Sequence, residues 1–159
     1  MNRVTETRSG QRIMRCPAAL AIMTAMLAAC TNAPNETERN RAVIGDFATL
    51  FYTQRNVRAA FAMHVAPDYI QHNPGIADGR DAAMVALEPM FAREGARFEV
   101  KHILVDGNLA AIHLFGRGDP RTAGAAVADI YRLEDGKIVE HWDVLQPMPA
   151  ASANPHPMF

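Results

Sequence analysis

Cysteine is almost missing from this chain, with two in 159 residues, Cys16 and Cys30, both within the first thirty. Beyond Cys30 no disulfide, thiolate metal site or cysteine nucleophile can be built, so the fold must hold by packing. An excess of charge of one sign is missing too. A formal net charge of −1 leaves no clustered basic face of the kind nucleic acid requires, and nucleic acid is set aside as a partner. No glycine-rich phosphate loop is present, because Gly116-Arg117-Gly118 lies between strand-like segments with no helix after it. No G-x-S-x-G elbow offers a serine nucleophile. Disorder-type composition is absent as well. At 49% hydrophobic and 21% charged residues the chain is long enough for one domain with a sizeable core.

The N-terminus is different. Arg3, Arg8, Arg12 and Arg15, opposed only by Glu6, precede the uncharged apolar run PAALAIMTAMLAA, Pro17 to Ala29, which is too short to span a bilayer. That layout predicts a signal peptide over 1–29, and Met14 offers an alternative start because MRCPAALAIMTAMLAAC is itself a complete signal. Leu27-Ala28-Ala29-Cys30 resembles the bacterial lipobox, which implies a lipid on Cys30 and an exported protein anchored to a bacterial membrane. Losing four arginines and Glu6 with that segment lowers the formal charge from −1 to −4.

Residues 30–40 are polar, contain Pro34 and read as a tether. From Arg41 the period changes. Val43, Ile44, Phe47, Leu50 and Phe51 form an apolar stripe at helical spacing, Asn56 to Val65 forms a short second helix stopped by Pro67, and Asp81 to Phe91 forms a third that Pro89 distorts or ends. After that the pattern alternates. Phe98 to Val105, Leu109 to Phe115, Ala125 to Arg132 and Lys137 to Leu145 read as strands, separated by Asp106-Gly107, Arg117-Gly118-Asp119-Pro120 and Asp135-Gly136. Helices followed by a meander give an α+β domain over 41–147, and 148–159, with Pro149, Pro155 and Pro157, reads as a flexible tail.

Strand parity sorts the polar residues. Asp129 shares a face with Ala125, Val127 and Tyr131, and an unpaired charged carboxylate on an apolar face is costly. It is therefore paired, protonated or open to a cavity where it works. Asp129 with His113 is the candidate acid/base pair, and an ion pair with Arg132 or Arg121 is the structural alternative. In the last strand Glu140 shares a face with Trp142, and His141 with Asp143; the pattern leaves open which pair faces inward. Trp142 inside would be an apolar wall, and His141 with Asp143 inside would add polar groups to a pocket. His141-x-Asp143 has a pattern that could ligate a metal, but with no third ligand at characteristic spacing and His72, His102 and His113 scattered, no metal site is expected.

YIQHNPGIADGRD, LVDGNLAAIH and ADIYRLEDGKIVEHWDVLQ, in that order, resemble the SnoaL-like branch of the nuclear-transport-factor-two-like superfamily, which includes polyketide cyclases. The resemblance covers about Arg41 to Pro147. It implies a cone in which a strongly curved, mainly antiparallel sheet packs on three N-terminal helices around an apolar pocket. It also implies acid/base chemistry without cofactor, metal included, on a small hydrophobic carbonyl ligand, and a homodimer formed through the sheet. Matched by motif, Asp129 is the acid/base group, with His113 in the same pocket. His72 with Tyr69 and Asn73 sits at the rim; Tyr131, Trp142 and Asp143 are the further substrate-binding candidates, with the inward face of the last strand left open. The alternative is a binding module without catalysis, since one fold serves both.

Overall fold

Asn35 opens the first helix. In the computed structural model, which describes residues 34–159, its side chain accepts the Glu38 backbone N–H at 2.9 Å while the Glu38 carboxylate accepts the Asn35 N–H at 2.9 Å. This reciprocal cap starts helix α1, Glu36–Ala48, inside the stretch expected to be a tether. The polar residues that suggested a tether, Glu36 and Glu38, are the acidic first turn that complements the helix dipole. The expected signal segment 1–29 and Cys30 lie outside the described residues.

The apolar stripe buries Ile44, Phe47 and Ala48, and removing Phe47 from water alone contributes roughly 1.5–3 kcal/mol. A widened turn, Thr49–Thr53, then changes the helical phase, so that the consecutive residues Phe51 and Tyr52 are both buried. The Asn56 side chain caps helix α2, Val57–His64, by accepting from the Ala59 N–H at 3.1 Å.

Pro67 ends no structure. It sits within strand β1, Val65–Gln71, where the sequence pattern predicts a helix end and a loop. Among the described residues β1 is an edge strand bonded only to the last strand, in parallel, and the missing proline N–H costs an edge no ladder bond. Helix α3, Arg80–Ala92, follows and runs through Pro89; the carbonyl one turn before it belongs to Val85, which is exposed to water.

Four antiparallel strands complete the domain: β2, Arg97–Asp106; β3, Leu109–Arg117; β4, Ala125–Glu134; and β5, Lys137–Pro147. The sheet order is β1-β5-β4-β3-β2, a mostly antiparallel, curved and unclosed sheet with three helices. Its curvature has local causes. Lys101 is extra in the β2/β3 register and Val139 in the β4/β5 register, and bulges of this kind bend and twist the strand that carries them. The core lies between sheet and helices, where Phe47, Phe51, Phe61 and Tyr69 meet Ile112, Leu114, Leu133 and Ile138.

Residues 148–159, expected as a tail, form no helix or strand. The Met148 N–H bonds the Gly124 carbonyl at 2.9 Å, and the Phe159 ring packs on Phe115 with centroids 5.5 Å apart. An apolar last residue has surface to bury, and β3 supplies it.

Candidate functional site

Between the sheet and the helices lies a cavity of about 270 Å³. Its walls are mostly apolar, including Phe51, Phe61, Phe91, Phe98 and Leu114, and its polar groups gather at one end. Asp129 lies at the centre of that end and is only 8% exposed. The parity argument for β4 holds: Val127, Asp129 and Tyr131 all line the cavity.

The Asp129 carboxylate is held from two sides. The Tyr52 hydroxyl donates to Oδ2, and the Tyr131 hydroxyl lies 2.6 Å from that of Tyr52. Because Tyr52 gives its proton to the carboxylate, Tyr131 is the donor in the second contact. His141 Nε2 stands 3.3 Å from Oδ1.

Gln71 fixes the state of His141. Its Oε1 accepts the Asn73 backbone N–H at 2.8 Å, which sets the orientation of the amide, and the same oxygen lies 2.9 Å from His141 Nδ1. Nδ1 therefore carries a proton and donates it. A hydrogen bond between Nε2 and Asp129 requires one further proton, held by either partner, since a bare nitrogen and a bare carboxylate oxygen repel. The Gln71 Nε2 donates to the Tyr69 hydroxyl oxygen at 3.1 Å, and the Tyr69 proton has no acceptor among the described residues. Asn73 donates to Asp143, which stands directly across from Asp129 on β5.

The three phenols are strong holders of their protons. Burial, and then the charge of Asp129, raises Tyr52 and Tyr131 well above the ordinary tyrosine value. Tyr69 is raised by the same two causes in the same order, against the opposing pull of its Gln71 hydrogen bond. All three are neutral donors at physiological pH.

Of the residues expected at the site, Tyr69, Asn73, Asp129, Tyr131 and Asp143 line one cavity. Three do not. His113 faces the other side of β3, stacked on His102 with centroids 5.6 Å apart, because Ala110, Ile112 and Leu114 form the inward face. His72 also lies away from the cavity, bonded to Glu140 at 2.8 Å and stacked on Trp142 at 4.8 Å. Trp142 shares that outer face of β5, so the pair turned inward is His141 with Asp143. Glu140, with His72 and then Arg132 donating to it, is held below the usual carboxylate range.

Tyr52 and Gln71 are not among the residues the sequence pattern points to, and His141 is there only as one of two open alternatives on the last strand. Tyr52 is out of phase with a regular helix, Gln71 alternates with Tyr69 on a strand that Pro67 concealed, and His141 depended on the undecided face of β5. Asp129, His141 and Asp143 each bring one ligand atom to within 4.8 Å of the others, and they are the residues that could hold a cation.

The family described as the SnoaL-like domain matches residues 44–141, well over half of the chain. An NTF2-like protein of unknown function from Mesorhizobium loti superposes with a TM-score of 0.62 at 19% identity, covering 72% of this chain and 96% of that one. A steroid delta-isomerase from Pseudomonas aeruginosa superposes with a TM-score of 0.55 at 19% identity, covering 69% and 81%. At such identities the likeness shows the fold. No curated protein matches the chain in sequence.

Proposed function

The chain belongs to the SnoaL-like domain family, and from that premise we propose an acid/base enzyme that uses its own side chains on a small, largely apolar carbonyl compound, as an isomerase or aldol-type cyclase would. One observation carries the reading. The buried Asp129 stands within hydrogen-bonding reach of His141 at the floor of an apolar cavity, and beside it the Tyr69 hydroxyl has a proton with no acceptor among the described residues.

Asp129 takes a proton from the carbon next to the carbonyl, and the C–H electrons move into the enolate. The Tyr69 O–H donates to the enolate oxygen, the point where negative charge develops. The Asp129–His141 pair then holds two protons and returns one. Return to a different carbon is an isomerisation; attack of the enolate carbon on a second carbonyl is an aldol closure. The aromatic walls keep water from the enolate.

The test is solvent deuterium exchange at the α-carbon of small aryl ketones, followed by NMR. Exchange above the uncatalysed rate is expected from the wild type, and equal exchange from Asp129→Asn overturns the role of Asp129. A second reading, ligand binding without turnover, is favoured by one fact: both Asp129 oxygens already have partners. Binding without exchange would support it.

The N-terminal pattern supports export and a lipid on Cys30, a reading that fails if Cys30→Ser still takes up labelled fatty acid. Exposed Leu104, Leu109 and Val144 support a homodimer through the sheet, which a monomer in sedimentation would overturn.

A further inference from the structure

The charges around the cavity do not balance. Among its lining residues there is no lysine and no arginine, but there are two aspartates and one histidine. The Asp129–His141 pair, with one proton between Nε2 and Oδ1, is neutral as a unit. Asp143 is left over. Its Oδ2 accepts from the neutral Asn73 amide, and among the described residues no hydrogen bond reaches its other oxygen. A half-buried carboxylate facing an aromatic cavity without a counter-ion repels anions and attracts cations. An independent observation points to a ligand in the same place: the buried Tyr69 hydroxyl lines the cavity with a proton that has no acceptor among the described residues.

We propose that the cavity takes a small ketone bearing a cationic nitrogen close to its carbonyl, with the nitrogen beside Asp143 and the carbonyl oxygen at the Tyr69 hydroxyl. The inference rests on the reading of Asp129 as the base and names the substrate class for it. Asp129 and Asp143 are directly opposed residues of β4 and β5, a relationship that sets side-chain origins about 5 Å apart. A nitrogen held by one and a C–H facing the other are then two or three bonds apart, as in an amino ketone. The chemistry agrees with the geometry, because a cationic nitrogen next to the reacting carbon makes its C–H more acidic. The walls agree too. Phe51, Phe61, Phe91 and Phe98 offer the aromatic surroundings that organic ammonium groups favour and that a bare metal ion does not need.

The experiment compares three ketones of one size by calorimetry on the wild-type protein: phenacyltrimethylammonium, its uncharged isostere phenyl neopentyl ketone, and the anion benzoylpropionate. The cation is expected to bind about tenfold more tightly than the neutral ketone, a difference of ~1.4 kcal/mol, and the anion not at all. In Asp143→Asn, which retains the side-chain shape, that preference should disappear. Equal or tighter binding of the neutral ketone, or a preference that survives Asp143→Asn, overturns the proposal. If the variant does not fold, the wild-type series decides alone. Zinc chloride is a further arm: zinc that displaces the charged ketone in competition, while that ketone shows no advantage over its isostere, replaces the proposal with a metal centre at Asp129, His141 and Asp143. The two readings fail separately. Deuterium exchange that depends on Asp129, without charge preference, removes only this inference; charge preference without exchange removes the acid/base reading and leaves a binder of organic cations.

Discussion

His141 meets Asp129 across adjacent strands at 3.3 Å, with its other ring nitrogen committed to the Gln71 amide oxygen at 2.9 Å. The amide is in turn fixed by the Asn73 backbone, so a main-chain N–H at one end of the chain of contacts determines where a proton lies at the other.

Asp129→Asn should lower turnover by about 10²–10⁴-fold, the usual contribution of a positioned base. The amide still accepts from Tyr52, so circular dichroism and the thermal midpoint should change little. A wild-type rate in the variant would remove Asp129 from the mechanism.

Gln71→Leu should release the ring of His141. The protected Nδ1–H resonance is expected to vanish from nitrogen-15 spectra, and the pH profile of turnover to change, because the tautomer is no longer imposed. An unaltered resonance would mean that another group holds the ring.

Alkaline titration offers a test without mutation. The chain has three tyrosines, Tyr52, Tyr69 and Tyr131, and all three line the cavity. Each has its folded value raised, so the stabilisation is complete below the unfolded value near 10 and is lost as pH rises above it toward the folded values. The ultraviolet tyrosinate band should therefore appear together with the loss of circular dichroism, in one cooperative step. A band that grows while the fold persists would place at least one phenol in contact with water.

Gly124→Ala should destabilise by about 1–3 kcal/mol in urea denaturation. Gly124 has φ +86°, and an added Cβ would lie 2.7 Å from the Phe115 ring and 2.8 Å from the Gly116 carbonyl oxygen. Gly107→Ala, at φ +55° with nothing within 4 Å, is the control for backbone strain alone. Equal effects would mean that the close contact adds nothing.

Much of the fold was legible because it is written in periods. The stripe through Ile44 and Phe47, the alternation from Phe98 onward and the Asp135-Gly136 turn gave three helices and four strands. Asp129 was legible for the same reason, as a charge on an apolar face. What stayed hidden depends on context the chain does not carry locally. Pro67 reads as a breaker unless its strand is known to be an edge. Parity divides β3 into two faces without saying that Ala110, Ile112 and Leu114 turn inward, and so His113 was placed with Asp129 when it lies behind it. Tyr52 and Gln71 depend on an altered helical phase and an unrecognised strand, neither of which a regular template contains.

Val139, the extra residue of β5, has a consequence of its own. Strict alternation counted from Ile138 would turn His141 outward; the inserted residue lets both face the interior. Its removal would leave Leu133 opposite Ile138 and Arg132 opposite Glu140, with His141 and Asp143 still pointing the same way. The chain would lose only a bend. A shortening by this single residue would keep every reactive group and straighten the strand, so the curvature of β5 depends on how many residues it has as well as on which ones they are.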